Sequence, residues 1–300
     1  MRSSSRRRAA SATDAPVRAR AGPPAHVALV AVVTLLLCLY AATTAGATQS
    51  VALGASFAPY RLGASTTIEL NLQIQAPAGQ IPSALSEVEV RYPENLGFDF
   101  SGLGLAVCSA ATVEAAGTSG CPADSIMGRG DALAELRFGA QLVSENASIS
   151  IARAPDEEGH IALLLYASGP SPVDTQILSP AQLLPTGPPF GGRLNMELPI
   201  IPSVPGAPDV AIVSLRVSIG PQGLTYYEQA EGNTLAYTPK GIPLPDTCPR
   251  GGFPFAATFS FLDGSHPVAK ATVPCPDPRR RPHRHRKARV ASPATPADRR

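Results

Sequence analysis

Strict alternation of apolar and polar residues is the feature that most constrains the fold of this chain. In the stretch "TTIELNLQIQ", Ile68, Leu70, Leu72 and Ile74 are separated by Glu, Asn and Gln. Successive side chains of a strand point to opposite faces of a sheet, so this spacing predicts a strand with one face against a core.

The same alternation occurs in Glu87–Tyr92, Leu194–Leu198 and Val213–Ile219. Residues 146–167 predict a hairpin around the acidic loop "APDEEG", and its second strand is apolar throughout, as expected of a strand covered on both faces. A second hairpin is predicted between Cys248 and Cys275, with a cysteine at each end.

Helix signals are few. "CSAATVEAAG" predicts a short helix after Ser109 that ends at Gly117. "SPAQLL" predicts another, with Ser179 as cap, Pro180 at the first helical position and Gln182 completing a capping box. Elsewhere 32 prolines and 26 glycines interrupt the chain, which suits irregular connections between strands. We predict an all-β fold, sandwich-like and of the Ig or jelly-roll kind, with about ten strands, one or two short helices and disulfide staples.

Charge divides the chain into unlike parts. Residues 1–26 have a net charge of +5, residues 48–275 carry 10 basic and 20 acidic residues for a net −10, and residues 276–300 have a net +7. Contact with phosphates needs clustered Lys and Arg, so the acidic body argues against nucleic-acid binding. We expect residues 48–275 to form one exported domain, with a division near Thr186–Gly192 as the alternative. Residues 276–300 are expected to be a disordered Arg/Pro-rich tail.

Residues 1–47 have the order of a secretory signal: a basic region, an apolar run and small residues. Ala45 and Ala47 suit signal peptidase, which predicts cleavage before Thr48. The uncharged stretch 27–47 has 21 residues, close to the roughly 20 that a membrane span needs. An uncleaved membrane anchor is therefore the alternative, and the protein is expected to be secreted or held in the cell envelope.

Four of the five cysteines lie beyond the signal. Three pairings are possible, and the spacing favours Cys108 with Cys121 and Cys248 with Cys275, because each pair is close in sequence. Neither pair has the C-x-x-C spacing of a zinc site. We predict two disulfides formed in an oxidising compartment and no metal.

Four short elements of the chain carry a resemblance to other proteins. They are "YPENLGFDFSGLGLAVCS" with Cys108, "CPADSIMG" (121–128), "PFGGRL" (189–194) and "FLDG" (261–264) within the closing hairpin. Over roughly residues 86–275 the chain resembles uncharacterised secreted or cell-envelope proteins of high-GC actinobacteria. The resemblance implies an exported protein of this architecture, and it brings no activity, cofactor or functional residue with it.

Motifs of catalysis are missing from the sequence. There is no G-x-S-x-G nucleophile elbow and no phosphate-binding glycine motif, so we predict no catalytic, cofactor-binding or metal residue. His160 and His266 each stand beside a predicted turn. The acidic stretch 156–159 lacks the spacing of an EF-hand. The tripeptide "RGD" at 129–131 is predicted to be a turn before the strand "ALAELRF".

These observations favour an exported, non-enzymatic β-sandwich of the cell envelope with a structural or interaction role. The alternatives are a secreted hydrolase whose site is assembled only in three dimensions and a binding module for a small apolar ligand. The basic tail is expected to contact anionic cell-wall polymer or lipid headgroups by charge. The residues expected to do so are Arg279, Arg280, Arg281, Arg284, Arg286, Lys287 and Arg289.

Overall fold

The computed structural model describes residues 49–98, 101–169, 176–201 and 209–276. These residues form fourteen strands and one α-helix. The helix, α1, is Ala110–Ala116. The strands are β1 Ser50–Ala58, β2 Ser65–Gln75, β3 Leu85–Pro93, β4 Ile126–Phe138, β5 Gln141–Arg153, β6 Ala162–Ser168, β7 Gln176–Pro185, β8 Phe190–Glu197, β9 Ala211–Ile219, β10 Tyr226–Ala230, β11 Asn233–Tyr237, β12 Ile242–Pro243, β13 Phe253–Phe261 and β14 Val268–Val273.

Eleven strands make one antiparallel sheet in the order β1-β2-β9-β4-β5-β6-β7-β8-β3-β13-β14, and β12 adds to β2. The two ends of this order lie side by side, so the sheet is a nearly closed barrel. The prediction of an all-β fold is confirmed, but the predicted sandwich is wrong, because one sheet curls on itself instead of two sheets packing face to face. Alternation cannot distinguish the two, since both bury one face of every strand.

The seam between β1 and β14 is held by side chains. No hydrogen-bonded ladder joins these two described strands. Phe57 on β1 packs edge-on against Phe253 of β13, with ring centroids 5.3 Å apart. At one end of the seam Gln49 Nε2 donates to Ser265 Oγ (3.0 Å), and at the other the Tyr60 hydroxyl donates to the carbonyl of Pro274. These contacts bring the two edges together without a backbone ladder.

The two ends of the barrel differ. At the end where β2, β4 and β6 begin, called here the disulfide end, lie both cystine bridges, Cys108–Cys121 and Cys248–Cys275. They are the bonds expected from cysteine spacing. Cys108 N–H donates to the Arg153 carbonyl at the end of β5, which fixes the first bridge to the barrel. The opposite end, where β3 and β9 begin, is called the cavity end.

Helix α1 covers the outside of β6 at the disulfide end. Its N-cap is Ser109, whose hydroxyl accepts from Thr112 N–H, and it stops at Gly117 with φ 61°, as the sequence predicted. Val113 packs with Ala162 and Leu164 in a small second core. The apolar outer face of β6 is therefore covered, which confirms the expectation of burial on both faces.

The second predicted helix is wrong. Residues 179–182 lie in β7, paired with β6 on one side. Pro180 has no N–H for a ladder, but β8 pairs with β7 only from Ala181 onward, so one side of β7 needs no donor at that position. Ser179 is buried on the inner face instead of capping a helix. Tertiary pairing has overridden a local capping pattern.

The predicted hairpins are present. Residues 146–167 fall in β5 and β6, and the cysteine-bounded hairpin is β13 with β14. Phe253, Phe255, Phe259 and Phe261 of β13 all point into the core. The stretch 186–192 is the turn after β7 and the start of β8, and these two strands are paired neighbours in the sheet.

A test of the disulfide end is the double change Cys248→Ser with Cys275→Ser. The bridge closes 27 residues, and losing this constraint on the unfolded chain should cost roughly 3–4 kcal/mol. We expect a lower melting temperature with the far-ultraviolet β spectrum retained. Thermal unfolding of oxidised and reduced wild type is the matched comparison. An unchanged melting temperature on reduction would contradict the expectation.

Tyr226 closes the disulfide end from inside. Its hydroxyl donates to the Ile126 carbonyl (2.6 Å) and accepts from Gly104 N–H (3.1 Å). Burial raises the pKa of this hydroxyl above its ordinary value of 10.0. A raised pKa in the folded state gives stability that is complete below the unfolded pKa and is lost as the pH rises through the folded pKa.

Stability should therefore fall at alkaline pH, and Tyr226→Phe should lessen that fall. At neutral pH the variant should be about 1 kcal/mol less stable, because it loses both hydrogen bonds. Urea unfolding near pH 7 and about pH 11 measures both effects. Tyr227→Phe, at an exposed neighbouring position, is the control. An equal alkaline loss in wild type and Tyr226→Phe would rule out the explanation.

Candidate functional site

An apolar cavity of about 80 Å³ lies inside the barrel at the cavity end. It has walls from seven neighbouring strands, β9 through β3 in the sheet order, and a rim from the segment after β8. The lining residues used below are Ala132 and Ala134 on β4, Ala147 on β5, Ala167 on β6, Ser179 on β7 and Ile200 on the rim. Ile200 is 37% exposed, so the rim reaches the surface.

Alanine is the reason that the space exists. Five alanines line the cavity, and three of them, Ala134, Ala147 and Ala167, are only half-buried although they are on the inner face. A barrel of eight strands is just wide enough for side chains to fill, and the interior widens with each added strand. Eleven strands with methyl groups along one wall leave a volume that no side chain occupies.

The cavity offers water molecules few hydrogen-bond partners. Its size would admit several water molecules, but stable buried waters need two to four polar partners each. Ser179 is the one lining residue with a polar side chain. Its hydroxyl has no side-chain hydrogen bond among the residues that the structure describes. The cavity is therefore suited to apolar groups, with one unpaired hydroxyl in its wall.

Glu145 lies in the inward register of β5 near the cavity end, and it is not one of the residues that line the cavity. Along β5 the less exposed positions are 143, 145 and 147, so its side chain follows the inward register of Ala147. It pairs across the ladder with Ala134, another lining residue. A Cβ placed on Gly169 would lie 2.2 Å from the Glu145 Oε1, so the carboxylate occupies space that Gly169 leaves open. Oε1 is out of contact with solvent and has no hydrogen-bond partner within the described part.

A second concavity lies on the outer face of β1, β2, β9 and β4. It is a shallow groove of about 630 Å³, lined by Glu69, Asn71, Arg129, Asp131 and Arg216 among others. Within the described residues, neither arginine has an ion pair. The predicted turn at 129–131 is wrong, since these residues lie inside β4. The groove is polar and open to solvent, which makes it a weaker site for a small molecule than the enclosed cavity.

The pair of Ser260 and His266 lacks the order of a catalytic triad. His266 Nδ1 lies 3.2 Å from Ser260 Oγ, and Ser260 Oγ lies 3.4 Å from Glu87 Oε2. A triad needs the imidazole between the serine and the acid, whereas here the serine stands between the other two. His266 is also exposed on the hairpin, away from any enclosed pocket.

His160 lines a different cleft of about 360 Å³ at the disulfide end, together with Tyr92, Asn95 and apolar residues. No serine, cysteine or carboxylate lines that cleft among the described residues. The acidic loop nearby is satisfied locally, because Asp156 pairs with Arg153 at 2.9 Å and Glu157 accepts from Gln182. No cluster of potential metal ligands occurs in the described ranges.

Comparison with known proteins finds no matching family model, no matching curated protein and no matching solved structure. The site is therefore argued from its own geometry.

Other predicted site residues fall outside the described ranges. They are the cleavage positions Ala45, Ala47 and Thr48 and the seven basic residues of the tail between 279 and 289. Among the residues that are described, none belongs to a helix long and apolar enough to cross a membrane. The two disulfides indicate an oxidising, extracellular environment.

Sequence reasoning missed Glu145 and the alanine wall. A signal was present: Ile149 and Ile151 set the inward phase of β5, and Glu145 is in that phase. The predicted strand starts at Asn146, one residue after Glu145, so the prediction does not include it. The alanines gave no signal, because a small residue fits either face of a strand.

A double-mutant cycle tests the position of the Glu145 side chain. Gly169→Ala should destabilise the wild type by less than about 1 kcal/mol, because the added methyl displaces the carboxylate, which is the far end of a flexible side chain. In a Glu145→Ala background the same change should cost almost nothing. Urea unfolding of the four proteins measures the coupling. An equal cost in both backgrounds would show that the carboxylate lies elsewhere.

Proposed function

We propose that the protein is exported and that its barrel binds a small apolar ligand in the alanine-lined cavity. The single observation that carries the proposal is an enclosed apolar volume with one unpaired hydroxyl in its wall. A packed interior normally has few voids larger than a water molecule. Four of the five lining alanines are on the neighbouring strands β4, β5 and β6, so the void is a continuous feature of the wall and a binding site of the kind expected for alkyl groups.

The two ends of the barrel support the same proposal. Both disulfides and the buried Tyr226 are at the disulfide end, where loops cover the core. The cavity end has no disulfide among its described residues and has an exposed rim at Ile200. The disulfide end makes the barrel rigid, and the cavity end gives a ligand access to the interior. This arrangement suits a binding module outside the cell.

A structural or interaction role in the cell envelope is the second candidate. The observation that favours it is the separate hairpin β10–β11, which lies outside the main sheet. Tyr227 and Leu235 on this hairpin are exposed, at 57% and 47%. Exposed aromatic and aliphatic side chains on a projecting hairpin are suited to protein contacts. The charge of the basic tail supports contact with anionic polymer or lipid headgroups.

The ligand proposal is tested with 1-butanol, 1-pentanol and 1-hexanol in an NMR titration. Burying each methylene is worth about 0.8 kcal/mol, so affinity should rise roughly fourfold per added carbon until the cavity is full. Methyl shifts should be centred on the cavity residues Ile149, Leu165 and Ile177.

Ala147→Leu should abolish these shifts, because the larger side chain fills the cavity. Ala52→Leu is the matched control, since Ala52 is exposed on the outer face of β1. Ala167→Val provides a second, smaller filling if Ala147→Leu unfolds the protein. Absence of shifts in the wild type, or shifts that survive both fillings, would refute the proposal.

A further inference from the structure

The cleft lined by Tyr92, Asn95 and His160, called here the mouth cleft, opens at the disulfide end of the barrel. It has a volume of about 360 Å³ and lies between the end of β3 with its following loop, the turn before β6 and the end of β7. Barrel mouths are a usual place for small-molecule sites, and clefts from about 300 Å³ upward are large enough to hold one. The lining residues within the described part of the chain include no acid, lysine or arginine. The mouth cleft therefore offers no opposite full charge to an ionic ligand.

Backbone hydrogen bonds fix the polar walls of the mouth cleft. His160 N–H donates to the Glu157 carbonyl at 2.8 Å, and Glu157 N–H donates back to the His160 carbonyl at 3.1 Å. The two residues between them have φ values of 51° and 80°, the positive values that a tight two-residue turn requires. On another wall, Gly97 N–H donates to the Pro243 carbonyl at 3.1 Å, which anchors the loop that carries Asn95. Because these supports are already ordered, binding here has a smaller entropy cost.

Two aromatic rings form part of the apolar surface of the mouth cleft. The ring centroids of Tyr92 and Phe98 are 4.8 Å apart, with the rings tilted by 57°. Gly192 lies opposite Tyr92 in the ladder, and a methyl group there would overlap the Tyr92 hydroxyl, so the glycine makes room for this ring. The two rings and Leu183 also line a void of about 20 Å³ among core residues. The rings therefore have space to shift when a ligand packs against them.

We propose that the mouth cleft binds a neutral, planar aromatic molecule that carries a hydroxyl group. Its ring packs against Tyr92 and Phe98, since aromatic rings in tilted or offset contact attract each other beyond the effect of buried area. Its hydroxyl exchanges hydrogen bonds with His160 and Asn95, which can each donate and accept. Within the described residues, neither of these two side chains has a hydrogen-bond partner. An ionised ligand is disfavoured, because an unpaired charge loses hydration in the cleft.

This site is separate from the alanine-lined cavity. No residue lines both spaces, and they are at opposite ends of the barrel. The inference therefore does not depend on the proposed function, and each can fail without the other.

The test compares 2-naphthol, its saturated analogue decahydro-2-naphthol and 2-naphthoate, which share one two-ring skeleton, in calorimetric titrations. The wild type should bind 2-naphthol roughly threefold or more tightly than the saturated alcohol, as expected for aromatic contacts, and about tenfold or more tightly than the carboxylate. Binding of 2-naphthol can also be followed by its own fluorescence, since the chain has no tryptophan. In NMR spectra the methyl shifts should be centred on Leu183 and Leu184.

Two variants separate the roles of ring and hydrogen bond. Phe98→Leu should abolish the preference for 2-naphthol over the saturated alcohol while leaving the affinity for the latter unchanged, because the apolar surface remains and only the ring is lost. His160→Ala should weaken 2-naphthol binding roughly threefold to tenfold by removing a hydrogen bond. His266→Ala is the matched control, because His266 is the other histidine of the barrel and lies on a different hairpin.

Four results would overturn the inference. They are no binding of 2-naphthol, equally tight binding of the saturated alcohol, an equal loss in His160→Ala and His266→Ala, and methyl shifts centred on Ile149 and Leu165 of the alanine-lined cavity. The linear alcohols that test the cavity are a separate measurement, so none of these results decides the proposed function. Loss of the aromatic preference in Phe98→Leu, together with weaker binding in His160→Ala alone, supports the inference.

Discussion

The direction of the two edge strands is the constraint on which the rest of this structure depends. Ten successive antiparallel pairings lead from β1 to β14, so these two strands run the same way. They meet without a ladder, and the barrel is closed by side chains at the seam. Phe57, Tyr60 and Phe253 pack across it, with a hydrogen bond from Gln49 at one end. The interior stays dry only because this seam excludes water, and the apolar cavity exists only within a dry interior.

The two ends of the barrel separate stability from access. Covalent bonds, helix α1 and the buried Tyr226 are at the disulfide end, where they hold the ends of β4, β5, β6, β13 and β14. The cavity end has the small side chains of the alanine wall and the exposed rim at Ile200. The proposed ligand would therefore enter away from the contacts that hold the strands together. The disulfides stabilise the fold by constraining the unfolded chain. This stabilisation can offset the packing that is lost because the cavity is unfilled.

Local sequence predicted strands well and connections less well. The alternating stretches became β2, β3, β8 and β9, and the Ser109 cap with Gly117 correctly bounded α1. The capping pattern at Ser179 misled, because a Ser-Pro pair is compatible with a strand when only one neighbour needs its N–H. The prediction for Arg129 failed in a similar way, since a glycine between charged residues suggests a turn, whereas Gly130 fits closely against the backbone of β9.

The sequence by itself determined that β2, β3, β8 and β9 each have one apolar face, that the cysteines pair as neighbours and that the body is acidic. These properties depend on residue type and on short spacing, which the chain shows directly. Only the tertiary structure decided between a sandwich and a nearly closed barrel, because the partner of each strand depends on contacts distant in sequence. It also decided that Ala132, Ala134, Ala147 and Ala167 meet around one empty volume. Residues on different strands become one site only when the sheet fixes their register, and no local pattern encodes that register.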